Sequence, residues 1–169
     1  IAMQYYDASL DWNIGINATD LAGLVGINNT GIFTYGELRA IIIYQPSSLS
    51  WPTLLTGQTN IPSNNDPTVI NNTGNVAGNI IFMTGHNLTG ELNPLEMIPS
   101  YLFKAGGVSG SECTASVYLN DSVTTWVSNV NLPKGPGAIA SIYYCLTNVP
   151  QISSQNYSAK GANAWVIEI

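Results

Sequence analysis

The chain has 169 residues, only 8% of them charged, with ten acidic residues against four cations. That length suits one domain with a real core, and the scarcity of Lys and Arg excludes the basic stripe that nucleic-acid binding needs. No apolar stretch approaches the ~20 residues of a membrane helix, so membrane insertion by a helix is not expected.

Residues 4–20 (QYYDASLDWNIGINATD) carry the clearest periodic signal. Tyr6, Ala8, Leu10, Trp12, Ile14, Ile16 and Ala18 are apolar, and the residues between them are polar or small. Period two predicts a strand with one dry and one wet face. Fifteen extended residues span roughly 50 Å, whereas a domain of this size is roughly 40 Å across. Two arrangements follow. The segment either bends at Gly15 and serves both sheets of its own sandwich, or leaves the domain and completes the sheet of a neighbouring identical subunit.

Leu21–Gly31, with three glycines and two adjacent asparagines, reads as a turn or mobile connector. Ile32–Tyr44 reads as a second long strand, bulged at Gly36 and ended by Pro46. Leu49 and Trp51 form a short apolar pair limited by Pro52. Pro67–Ile70 and Val76–Thr84 read as a hairpin turned by Asn71–Asn75, with Ile80–Met83 in a central strand. Five Thr-Gly pairs serve as turn punctuation.

Leu92–Lys104 is the one stretch where a helical turn competes with strand, although Pro94 and Pro99 oppose a long helix. Cys113–Leu119 is expected to pair with Val123–Val127. Gly137–Leu146 and Ala162–Ile169 complete the strands, the last placing Trp165, Ile167 and Ile169 together. Strand-like segments between frequent turn signals predict an all-β fold, an immunoglobulin-like or jelly-roll β-sandwich. Residues 1–20 form its N-terminal strand and residues 21–169 its body. Because the sequence opens at Ile1 with neither a basic nor an apolar leader region, it reads as a mature chain or an excised domain.

Catalytic chemistry finds little support. His86 is the single histidine, so a centre built on several imidazoles and an H-E-x-x-H motif are both out of reach. It sits beside Gly85 in a Thr-Gly turn and reads as a surface residue. Asp7 and Asp11 lie about 13 Å apart on a straight strand, poorly placed as a glycosidase pair, and Glu91 and Glu96 read as solvated. Asn64-Asn65-Asp66 and Asn120-Asp121 offer some oxygen ligands for calcium, but no EF-hand loop is present. Neither a cofactor nor a metal is expected.

Cys113 and Cys145 lie far from any C-x-x-C motif. In an extracellular chain they form one disulfide, closing a loop of about 30 residues and contributing about 3–4 kcal/mol in the chain-entropy picture; otherwise they are two buried thiols. Six N-x-[ST] sequons, at Asn17, Asn28, Asn71, Asn87, Asn120 and Asn156, are candidates for N-linked glycans. Nineteen Asn, 15 Ser and 14 Thr replace charge on the surface.

Ser48–Gly90, about a quarter of the chain, resembles a module of archaeal secreted surface proteins. Its Asn72-Thr73-Gly74-Asn75 turn is similar to that of the β-sandwich subunits of TasA/camelysin-type fibres and archaeal bundling pili. The resemblance implies a turn without a catalytic role, and an N-terminal strand donated to the next subunit. Tyr6–Ala18 fits such a donor in pattern and position. The expected protein is therefore a structural subunit of an extracellular filament on the cell surface, and not an enzyme. It would polymerise with identical subunits by donor-strand complementation, with a surface-layer tile as a close variant. A monomeric adhesin or carbohydrate-binding module, stacking sugars on exposed Tyr and Trp rings, is the alternative from another class. A hydrolase using carboxylates is a third.

Overall fold

A computed structural model describes every residue except Ile1, Asn79, Val123 and Asn129. The first strands are β1 (Leu10–Thr19), β2 (Val25–Tyr35), β3 (Ile41–Gln45), β4 (Thr59–Pro62) and β5 (Thr68–Asn72). The middle of the chain gives β6 (Phe82–Thr84), β7 (Leu88–Gly90), β8 (Met97–Ile98), β9 (Phe103–Gly106) and β10 (Val117–Tyr118). The last are β11 (Thr125–Trp126), β12 (Ile139–Asn148), β13 (Tyr157–Ser158) and β14 (Val166–Glu168). The only helical turns among the described residues are 3-10, at Ser100–Leu102 and Gly161–Asn163. The first of these falls inside Leu92–Lys104, where sequence left helix and strand in competition.

The body is an all-β sandwich of antiparallel sheets. β12, rich in β-branched and aromatic residues, is its spine. One edge of β12 pairs with β9, while β5 and β4 share the other edge end to end. Tyr144 falls at the break between those two partners. Its N–H donates to both carboxylate oxygens of Asp66, and its carbonyl accepts from the Ser63 N–H, so a side chain completes the ladder where the strand does not. β10 and β3 extend this sheet beyond β9 and β5. Two smaller sheets, β11-β6-β14 and β13-β7-β8, form the remainder.

The core gathers Ile70 of β5, Phe103 and Ala105 of β9, and Ile142, Tyr144 and Leu146 of β12 with Ile81, Met83 and Ile98. Trp51 and Trp165 pack edge-on against Phe103 with centroids 5.0 and 5.1 Å away. The Cys113–Cys145 disulfide ties the loop after β9 to β12.

Several sequence expectations are corrected. The predicted hairpin around Asn71–Asn75 does not form, because β5 pairs with β3 and β12 whereas β6 pairs with β11 and β14. The turn instead carries the chain from one sheet to another. β6 is nevertheless central, as its two-sided apolar pattern requires. Cys113–Leu119 does not pair with Val123–Val127: β10 joins β9 and β11 joins β6, while Val123 lies outside the described residues. The expected strand Ile32–Tyr44 is broken at Gly36–Ala40, and the connector expected at Leu21–Gly31 is mostly strand.

Candidate assembly interface

The N-terminal segment does not serve the two sheets of its own sandwich. β1 pairs only with β2, and the two form a separate two-stranded ribbon that joins no sheet of the sandwich. A five-residue loop closes it. Asp20 Oδ1 accepts the N–H groups of Ala22 and Leu24, and Gly23 takes the positive φ of 82° that the turn needs. Across the ribbon Trp12 stacks on Phe33 with centroids 6.4 Å apart, and Thr34 donates to Asp11. Between Ile14 and Ile16 the register shifts, so that Gly15 faces the two residues Asn29 and Thr30. A Cβ at Gly15 would stand 2.9 Å from Asn29 Oδ1.

The dry face expected of β1 is wet in the single chain. Residues 13–30 are all exposed, including Ile14, Ile16 and Ala18, and Leu10 is 48% exposed. Trp12 is half-buried by Phe33, with its indole N–H on the Ala8 carbonyl. Tyr6 and Ala8 precede the strand in a turn, half-buried, with Tyr6 edge-on to Tyr5. β2 adds exposed Val25, Ile27 and Ile32. By register Ile27 and Ile32 lie across from Asn17 and Asn13, so the face read as wet is also partly apolar.

The root of the ribbon is held by the turn that carried the family resemblance. Asn75, 3% exposed, accepts the Leu38 N–H on Oδ1 at 2.7 Å, donates Nδ2 to the Gly36 carbonyl at 2.8 Å, and donates its backbone N–H to the Leu38 carbonyl. Asn72, fully buried, donates Nδ2 to the carbonyls of Val76 and Pro133. Gly74 passes so close to the Leu38 carbonyl that a Cβ there would collide with it. The side chains of Asn72 and Asn75 are therefore both engaged in holding this turn.

On the sandwich, a cleft of about 1470 Å³ opens between the segment Pro46–Thr56 and the segment Ile152–Lys160. Its floor is core: Met83, Ile98, Phe103, Tyr144 and Leu146. Segment 46–56 contributes Leu49, Trp51 and Leu54 to the packing but forms no strand. The opposite wall is clasped by Glu96. Its Oε2 accepts from the Ser153 hydroxyl and N–H, the Tyr157 hydroxyl and the Gln155 amide, which hold the carboxyl at about 2, far below its ordinary 4.5. Glu91, paired with Lys160 at 2.6 Å, is also lowered. Both glutamates make structural hydrogen bonds, Glu91 while exposed as sequence read it and Glu96 while half-buried.

The sequons divide by environment. Asn71 is half-buried with Nδ2 on the Tyr44 hydroxyl, and Asn87 bonds the Ser100 N–H and Met97 sulfur. Asn17, Asn28, Asn120 and Asn156 are exposed. In Asn28 and Asn120 the Oδ1 accepts both the N–H and the hydroxyl of the second following residue. Of the residues considered for calcium, Asp66 and Asn65 are occupied by backbone partners. Among the described residues no three His, Cys, Asp or Glu side chains are gathered. The exposed rings Tyr44, Tyr101, Tyr118 and Trp126 make no ring contact with one another, whereas Trp51 and Trp165 belong to the core cluster.

Sequence reasoning placed only the end of β2, from Ile32, in a strand, and missed its first part, the cleft and the Glu96 clasp. The spacing Asp20…Gly23 was the available signal for β2, since it marks the turn that returns the chain. Compared with family models, curated proteins and solved structures, the chain matches none.

Proposed function

We propose that the chain is a structural subunit of an extracellular filament, in which the N-terminal ribbon links one subunit to the next. One observation carries this reading: eight large apolar side chains, Leu10, Ile14, Ile16, Leu21, Leu24, Val25, Ile27 and Ile32, stand exposed on a ribbon that no part of its own sandwich covers. A two-stranded hairpin is at best marginally stable alone, and its free edge is a template for pairing. Burying each such side chain contributes roughly 1.5–3 kcal/mol before ordering costs, enough in sum to drive association.

The donated unit is the ribbon rather than a lone strand, because β1 already has β2 on one edge and offers the other. Identical subunits are the partners, and N-linked glycans at the exposed sequons would keep a surface so poor in charge hydrated. The disulfide suits an oxidising, extracellular location. The Asn72–Asn75 turn serves this role by fixing where the ribbon leaves the body.

Light scattering of the full chain against a variant carrying Ile14→Asp and Ile27→Asp tests the reading. Both residues are solvent-exposed, so the fold tolerates the change. Large assemblies in the parent that are lost in the variant, with the unfolding midpoint preserved, are expected. A parent that stays monomeric at high concentration contradicts the filament reading.

A further inference from the structure

We propose that the loop between β7 and β8 is a preformed apolar finger that inserts into the interfacial layer of a lipid membrane, a role independent of the filament reading. β7 and β8 pair antiparallel, and the Gly90 N–H closes the hairpin on the Glu96 carbonyl. Residues 91–95 at its tip are all exposed. Leu92 is 84% and Leu95 90% exposed, the two highest values for a large apolar side chain among the described residues from Gly36 onward. Scattered leucines on a surface are ordinary. Two on one short tip call for a cause, and the loop is built to hold them out.

The backbone supports this first. Every N–H from Gly90 to Glu96 already has an acceptor within the protein. Gly90 donates to the Glu96 carbonyl and Glu91 to the Asn156 carbonyl. Leu92 and Asn93 both donate to Gln155 Oε1 at 2.8 Å, Leu95 donates to Asn93 Oδ1 at 3.3 Å, and Glu96 donates to the Asn93 carbonyl. Pro94 has no N–H to satisfy. A loop in water can leave such donors to the solvent; a loop entering lipid cannot, because each stranded group is costly there. Polar side chains are turned to the same end. Asn93 Nδ2 donates to Glu96 Oε1, and Glu96 Oε2 accepts from Ser153, Gln155 and Tyr157. The tip is left to present Leu92, Pro94 and Leu95 outward.

Shape and charge select lipid over a protein partner. A stable protein interface takes about 20–30 residues from each side, whereas the apolar surface of this tip is Leu92, Pro94 and Leu95 on a projecting hairpin. No ionic side chain lies between Leu92 and Leu95. At the foot of the loop Glu91 is paired at 2.6 Å with Lys160, itself 75% exposed, where headgroups would meet the protein. The net charge of −6 favours an uncharged membrane surface over an anionic one. Insertion by one subunit is weak and reversible, since even a whole myristoyl chain binds with only about 10⁴ M⁻¹.

The test is cosedimentation of the full-length chain with an excess of sucrose-loaded phosphatidylcholine vesicles, beside vesicle-free controls. The chain should be carried down in proportion to lipid, and binding should survive high salt, because it rests on apolar contact. Leu92→Ser with Leu95→Ser should lower the partition coefficient at least tenfold while the unfolding midpoint holds, both side chains being exposed. Ile14→Asp with Ile27→Asp, on the ribbon, should bind vesicles as the parent does. Gln155→Ala keeps both leucines but frees the N–H groups of Leu92 and Asn93, and binding should weaken roughly three- to tenfold. A parent that vesicles do not carry down, a loop variant that binds like the parent, or binding lost in the ribbon variant instead would overturn the inference. Self-association that needs no vesicles and disappears in the loop variant, with no binding to lipid, would overturn it too and assign the loop to a second copy. Unchanged binding by Gln155→Ala would contradict the role given to the backbone donors.

Discussion

Asn75 concentrates three backbone attachments of the ribbon root in one buried side chain and its own N–H. Asn75→Ala would strand the Leu38 N–H and the Gly36 carbonyl, and unfolding by denaturant should show a loss of about 2–4 kcal/mol. A loss within error would mean that water replaces the side chain freely. Glu96 makes a different kind of prediction. Its carboxyl is held at about 2 by donors from Ser153, Tyr157 and Gln155, so its contribution to stability is complete above the ordinary 4.5 and disappears as pH falls through about 2. A carboxyl carbon titration by NMR should place its midpoint there and move it upward in Ser153→Ala; a midpoint near 4.5 in the parent would refute the clasp. Asp66 has the opposite sign. Burial raises its carboxyl above 3.8 despite the bonds from Ser63 and Tyr144, so protonation favours the folded state, and stability from this group is lost as pH rises through the folded value.

At the scale of elements, two strands of the body were legible because their burial matches their pattern, while β1 was legible from its alternation alone. β12 and β14 lie where Gly137–Leu146 and Ala162–Ile169 put them, because one sheet face is core and the other is not. The pairing of Cys113 with Cys145 was legible from the count of two. The first part of β2 was hidden because Gly26, Asn28, Asn29 and Gly31 interrupt its apolar residues, whereas β1 on the same exposed ribbon alternates strictly. Partners between strands were not legible either: β5 and β6 are adjacent in sequence but belong to different sheets, and only the packing of the core decides that. The cleft was illegible for a similar reason, since it depends on segment 46–56 staying outside every sheet. Replacing both cysteines by alanine opens the loop of separation 32 and should cost about 2–4 kcal/mol in denaturant unfolding. A smaller change would show that β9, β10 and β12 already restrain that loop.

For the whole molecule, folding and assembly are carried by different parts of the chain. No residue of β1 or β2 belongs to the core cluster, so the sandwich should fold without the ribbon. Removing residues 1–18 alone would leave β2 with exposed apolar side chains and no partner; the informative boundary is Gly36, where the ribbon meets the body. The decisive comparison is electron microscopy of the natively purified full chain beside a chain beginning at Gly36, with circular dichroism to establish that both are folded. The account predicts regular fibres from the full chain and dispersed, folded monomers from the shortened one. Dispersed monomers in both samples, or fibres that survive the loss of residues 1–35, would contradict it.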